Sequence, residues 1–266
     1  MKVLLAIESS GKFGSVAIAR ANHEYSETES AIPSVVSVDL PTDRGSAQSL
    51  ADTIDRLLRS ENLKPNELGC IALLSGPGSF TGLRVGIATA KSMAYALSIP
   101  VVELDTMDCI HYRTERSVDG HRWMHVLLDA YRGQLFVKTV CLDSAANNLV
   151  SSESMTNDTF ICDIENLVQQ AMAAGVAEEH VFVGPGCERL QRYVAREEKV
   201  ETVKSWFESV NWMNDSHSTP HARSVAELGW EKWRSGSTLD PFLLLPKYFR
   251  SSAAEEKVGK STDSSG

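Results

Sequence analysis

A chain of 266 residues, 42% hydrophobic and 23% charged, is long enough to bury one large core or two smaller ones. Its 26 Lys and Arg against 35 Asp and Glu leave a net charge of −9, which argues against a module that binds RNA directly, since an acidic chain lacks the field to grip nucleic acid by itself. Five scattered cysteines (Cys70, Cys109, Cys141, Cys162, Cys187) with no C-x-x-C exclude a disulfide framework or zinc knuckle and fit a reducing, cytoplasmic setting.

The apolar run Val3–Ile7 predicts a buried strand; it is broken too soon by Glu8 and Gly11 for a membrane span. Ser15–Ala19 reads as its return strand, Asn22–Ser30 as a long hairpin loop, and Ser34–Leu40 as a third strand of an antiparallel meander. Leu50, Ile54, Leu57 and Leu58 predict a helix over Ser46–Ser60, followed by a buried strand at Cys70–Leu74. A Gly/Pro turn leads into a long helix at Leu83–Leu97, then a short strand at Val101–Glu103 and a helix at Thr106–Thr114. Beyond Arg116, strands are expected at Trp123–Asp129, Gln134–Cys141 and His180–Val183, and helices at Asp163–Ala174, Cys187–Glu197 and Val225–Trp233. Phe242–Phe249 closes the chain as an extended segment, and Ser251–Gly266, small and polar, is expected to be a disordered tail. The pattern predicts an α/β protein of two lobes, 1–116 and 117–250, with tail 251–266 and no internal repeat visible.

The strongest motif is the turn Gly76, Pro77, Gly78, Ser79, Phe80, Thr81 between strand and helix. Its glycines permit backbone angles closed to other residues, and Ser79 or Thr81 caps the helix. No Gly-Lys-Ser/Thr closes it, so it is not a Walker loop. Along the helix, Gly82, Gly86, Ala90 and Ala94 recur every fourth residue on one side. Such a stripe either lets a partner helix approach closely or packs tightly on the chain's own sheet. We take the first as the expectation: a partner interface at Gly82, Gly86, Ala90 and Ala94, joined by Ala47 and Ala51 of the preceding helix.

GPGSFTGLRVGIATAK, with the opening LLAIESSGKFGSVAIA and then DRGSAQSLADTIDRLL, LLDAYRGQLFVKTV, PHARSVAELGW and LLPKYFRSSAAEE, resembles the TsaB (YeaZ) family across nearly the whole chain. The resemblance implies the two-lobed fold of actin, sugar kinases and Hsp70, in a degenerate paralogue of the threonylcarbamoyltransferase TsaD. It implies a non-catalytic subunit that binds and activates a TsaD-like partner in tRNA threonylcarbamoyladenosine modification, with a small TsaE-like ATPase joining. It further implies tRNA contact only through the complex, no membrane, no intrinsic cofactor, and ATP or ADP only at an interface of the complex, and it leaves homodimer or monomer open for the chain alone. Glu8, Ser9 and Ser10 then form a vestigial phosphate loop, with Glu8 where the family usually has Asp. The active paralogue's H-x-x-x-H pair is reduced here to His111.

The competing reading is an ATP-dependent carbamoyltransferase or kinase of the same fold; a peptidase lacks its G-x-S-x-G elbow. His121/His125 and His217/His221 have a metal-like spacing of four but do not fall on helix faces. Asp129 and Arg132 in DAYRG read as a turn-stabilising pair. Trp230 and Trp233 are expected to anchor the second lobe.

Overall fold

The computed structural model describes residues 3–11, 13–21, 33–41, 46–115, 118, 120–142, 158–196, 200–213, 218–247 and 249, with only the backbone of 46–48. The expected loop Asn22–Ser30 and the tail Ser251–Gly266 lie outside these residues.

The first sheet holds β1 (Val3–Glu8), β2 (Ser15–Arg20), β3 (Ser34–Asp39), β4 (Cys70–Gly76) and β5 (Val101–Asp105) in the order β3-β2-β1-β4-β5. β1, β2 and β3 form the expected antiparallel meander, while β4 and β5 run parallel to β1. Every residue of β1 is buried because helices cover both faces, which is why it reads as an unbroken apolar run. Val3, Leu5 and Ile7 point to α1 (Ser46–Ser60) and α2 (Phe80–Leu97). Leu4 and Ala6 point the other way, to α7 (Ala222–Arg234). Helix α1 buries Leu50, Ile54, Leu57 and Leu58 and pairs Asp52 with Arg56 and Asp55 with Arg59 on its wet side.

The second sheet holds β6 (Trp123–Asp129), β7 (Gln134–Cys141), β8 (Phe160–Asp163), β9 (His180–Val183) and β10 (Asn211–Met213), ordered β10-β9-β6-β7-β8. Read from its other edge, this is the first sheet again. Two antiparallel pairings follow the opening strand, and two parallel strands flank it on the other side. The chain carries one topology twice, a repeat the sequence hides because the two cores are filled differently. A G-P-G after the fourth strand does recur, as Gly76-Pro77-Gly78 and Gly184-Pro185-Gly186. Helices α4 (Ile164–Ala174), α5 (Cys187–Val194) and α6 (Glu201–Glu208) accompany this sheet.

The lobes are not consecutive in sequence. Helix α7 lies on the first sheet, with Ala222, Val225, Ala226 and Trp230 in its core. Gly229 meets Ala72, and Gly69 meets the Trp233 ring, so tightly that a β-carbon at either glycine would overlap. The two tryptophans therefore anchor the first lobe, not the second. Their helix has an apolar face, and the open face of the first sheet is where it is buried. Helix α3 (Thr106–Thr114) joins the lobes, placing Met107 and Ile110 against Met124, Val126, Val181 and Val183 of the second sheet.

Candidate functional site

The glycine motif works as a seat for the β1–β2 turn. Ser79 donates its backbone N–H to Ser10 O at 2.7 Å, and the Ser9 hydroxyl donates to Gly82 O at 2.9 Å. Ser79, not Thr81, caps α2, its hydroxyl accepting from Gly82 N at 3.2 Å. A β-carbon at Gly78 would lie 2.7 Å from Ser10 O, one at Gly82 1.9 Å from Ser9 O, and one at Gly86 2.3 Å from Ser9 Oγ. Gly76, at φ +136°, lets the backbone of Lys247 pass over it. Pro77 follows through a cis peptide and is buried, while Phe80 and Thr81 are exposed.

This geometry corrects the expected interface. Gly82 and Gly86 press on Ser9, and Ala90 and Ala94 are wholly buried in the first lobe's core. The stripe faces inward because the turn above β1 comes so near α2 that only hydrogen atoms fit between them. Of the five whose side chains are described, Ala51 alone stands exposed; the side chain of Ala47 is outside the described residues. The outward side of α2 is the next ridge round, at Arg84, Ala88 and Ser92, with the Arg84 guanidinium 3.8 Å over the Phe80 ring. Between this ridge and α1 runs a groove of about 460 Å³, lined by Ala51, Leu58, Ala88, Thr89, Ser92 and Met93.

Glu8 is fully buried at the end of β1. Its Oε1 accepts three hydrogen bonds, from Ser10 N at 2.7 Å, Ser10 Oγ at 2.8 Å and Gly11 N at 3.0 Å. Its Oε2 is buried with no protein partner. Burial pushes the carboxyl up to about 7, against the opposing pull of those donors. The amides that a vestigial phosphate loop offers an anion are thus engaged by the chain's own carboxylate. In the matching turn of the second lobe, Asp129 accepts from Tyr131 N at 2.7 Å and pairs with Arg189 at 3.0 Å. The arginine seen to pair with Asp129 is thus Arg189 on α5, 60 positions on.

The histidines do not gather as spaced. His125 is buried and lies 2.8 Å from His180, Nε2 to Nδ1, with Thr139 Oγ1 at 3.0 Å on its other nitrogen. His121 reaches Asn211, and His221 caps α7 and meets Asp39 at 3.1 Å. His217 lies outside the described residues. His111 contacts Met124 Sδ and Glu115. No three metal-ligating side chains come together among the described residues. The His125–His180 pair was missed in the sequence, since the two are 55 positions apart and meet only through the parallel pairing of β6 with β9.

Comparison with known proteins places this geometry. The family model described as "TsaD: tRNA N6-adenosine threonylcarbamoyltransferase" matches residues 40–257. TsaB of Haemophilus influenzae, a "tRNA threonylcarbamoyladenosine biosynthesis protein", is 29% identical over 216 residues, 77% of this chain and 80% of that one. The chain belongs to the TsaD family, in its TsaB (YeaZ) group. YeaZ of Pseudomonas aeruginosa shares the TsaB-group fold at a TM-score of 0.66 and 20% identity, over 93% of this chain and all of that one. TsaB of Bacillus subtilis is 32% identical over 83 residues, 31% of this chain, and the match spans 35% of that relative's length. The two-lobed α/β fold expected from the resemblance is the fold observed. Among the described residues, no helix is long and apolar enough to cross a membrane.

Proposed function

We propose that this chain is an accessory subunit without a reaction of its own in tRNA threonylcarbamoyladenosine biosynthesis, and that it binds and activates a TsaD-type catalytic subunit. The site observation that carries this reading is Glu8: its carboxylate engages the amides and hydroxyl of the β1–β2 turn, so the turn is committed to its own fold. What the first lobe offers outward is the α1–α2 groove, whose small residues let a facing helix approach closely. The docking surface is therefore the Ala51, Ala88, Ser92 ridge and groove, one helical step from the stripe that the residue spacing suggested. With a net charge of −9, the chain meets tRNA through the catalytic subunit. A TsaE-like ATPase joins the same assembly, and a homodimer uses the same face.

The test is binding of the TsaD-type protein of the same cell to Ala88→Glu and Ser92→Glu variants. Both positions are exposed, so the thermal midpoint stays with the wild type. A charge at the centre of a close helix contact weakens association by at least about 30-fold, and reconstituted modification falls with it. Wild-type affinity in both variants rules out this face; modification by the chain alone rules out the accessory role.

A further inference from the structure

The segment after α7 touches four elements between Leu239 and Phe249. Leu239 pairs with Val101 at the β5 edge through two backbone hydrogen bonds of 3.0 and 2.8 Å. The Lys91 ammonium on α2 then holds the carbonyls of Phe242 and Leu244, at 3.2 and 3.1 Å, while the Leu244 side chain is fully buried in the first core. Further on, Lys247 donates its backbone N–H to Ser75 O at 2.9 Å, and its ammonium pairs with Glu103 at 2.9 Å. Its carbonyl sits on Gly76, where a β-carbon would come within 2.8 Å. All of these anchors belong to the first lobe. Two residues on, the Phe249 ring meets Phe136 of β7 edge-on, with centroids 5.5 Å apart, and β7 is in the second sheet.

We propose that residues 239–247 with Phe249 form an interlobe clamp: a strap fixed along the first lobe, with an aromatic ring beyond it that holds the second lobe at a set angle. The need for one follows from the rest of the contact. Apart from the strap, the main contact between the sheets among the described residues is helix α3, with a 3.5 Å hydrogen bond from Thr159 Oγ1 to Asp105 Oδ1 beside it. The apolar face of α3 against β6 and β9 is a surface on which the second lobe can pivot. The ion pair of Lys138 on β7 with Asp108 on α3 limits that motion close to the pivot. Phe249 acts on the same strand two residues away, from an independently anchored segment. The strap gains this leverage because its first-lobe anchors precede Phe249, so loss of the ring frees the lobes without releasing the strap. An edge-to-face pair of this kind adds its own geometric preference to the area it buries.

The test is the distribution of distances between spin labels carried on bio-orthogonal side chains at Arg59 of α1 and Arg192 of α5, both well exposed. The wild type gives one narrow distribution. Phe249→Ala and Phe136→Ala each broaden it by about twofold or more, with far-ultraviolet circular dichroism unchanged. In the same variants, amide exchange at Lys247 rises by less than about threefold, since its anchor to Ser75 remains. Unchanged widths in both variants overturn the clamp and leave the contacts around α3 to set the angle. If Phe249→Ala does not fold, Phe249→Leu, which keeps an apolar side chain but loses the ring edge, is read the same way. An unfolded Phe249→Leu also overturns the proposal, because the ring would then be holding up the first lobe itself.

Discussion

Gly82→Ala is the sharpest probe of how α2 sits. The added methyl carbon would stand 1.9 Å from the carbonyl oxygen of Ser9, more than an ångström inside contact distance. The neighbour is backbone, and its turn is pinned by the Ser79–Ser10 hydrogen bond at 2.7 Å, so it has little room to give. Overpacking of this kind costs about 1–3 kcal/mol. Separating the turn from the helix also stretches the Ser9–Gly82 hydrogen bond, worth about 1 kcal/mol. Alanine's better helix propensity returns at most about 1 kcal/mol. The net loss is about 2 kcal/mol, or about 4–8 °C in Tm for a chain of this size. Differential scanning calorimetry of Gly82→Ala beside Ala88→Glu reads the result. The first should melt early, and the second should melt with the wild type because Ala88 faces solvent. If Gly82→Ala melts with the wild type yet loses the TsaD-type partner, the stripe faces outward and does not pack on Ser9.

Ionised Glu8 is disfavoured in the folded chain, since burial raises its pKa from 4.5 to about 7. Its contribution is complete below pH 4.5 and is lost as pH rises through 7, at most about 3 kcal/mol. Urea midpoints at pH 5 and 8 should therefore fall in the wild type relative to Glu8→Gln, and parallel midpoints refute the assignment. The buried histidines act with the opposite sign. Desolvation, then the neighbouring ring, lowers His125 to about 3, and desolvation lowers His180 to about 4. Stability held above pH 6.5 is thus lost as pH falls towards 4. His125→Phe should be less stable than wild type at pH 7 but lose less on acidification to pH 4.5, as followed by tryptophan fluorescence; an equal loss in both refutes it. Arg189→Met should lower Tm by no more than about 1 kcal/mol equivalent, because its pair with Asp129 is about one-third exposed and solvent screens it.

Much of the first lobe was legible because its signals are local. The apolar run of β1, the alternation of β3, the α1 spacing and the Ser79 cap each fix an element within a few residues. Elements with short or mixed patterns escaped, among them β8, β10 and α6, of which β10 has three residues. The stripe on α2 shows a different limit. Four-residue spacing places Gly82, Gly86, Ala90 and Ala94 on one side of a helix but does not say whether that side meets a sheet or a solvent-facing partner. The deciding contact, with Ser9, lies 73 residues away. Long-range choices of this kind also set the home of α7 and the His125–His180 pair, and no window of sequence contains them.

The placement of α7 has a consequence for how the protein is made. The second lobe occupies one uninterrupted stretch, from β6 to β10, and is complete as soon as β10 leaves the ribosome. The first lobe begins at Val3 yet waits for α7, which starts at Ala222, to cover one face of its sheet. At roughly 5–20 residues per second, β5 is made on the order of 10 s before that cover arrives. During that interval Leu4, Ala6, Ala72 and Val102 present a bare apolar face. The part of the chain synthesised first is the part that finishes last.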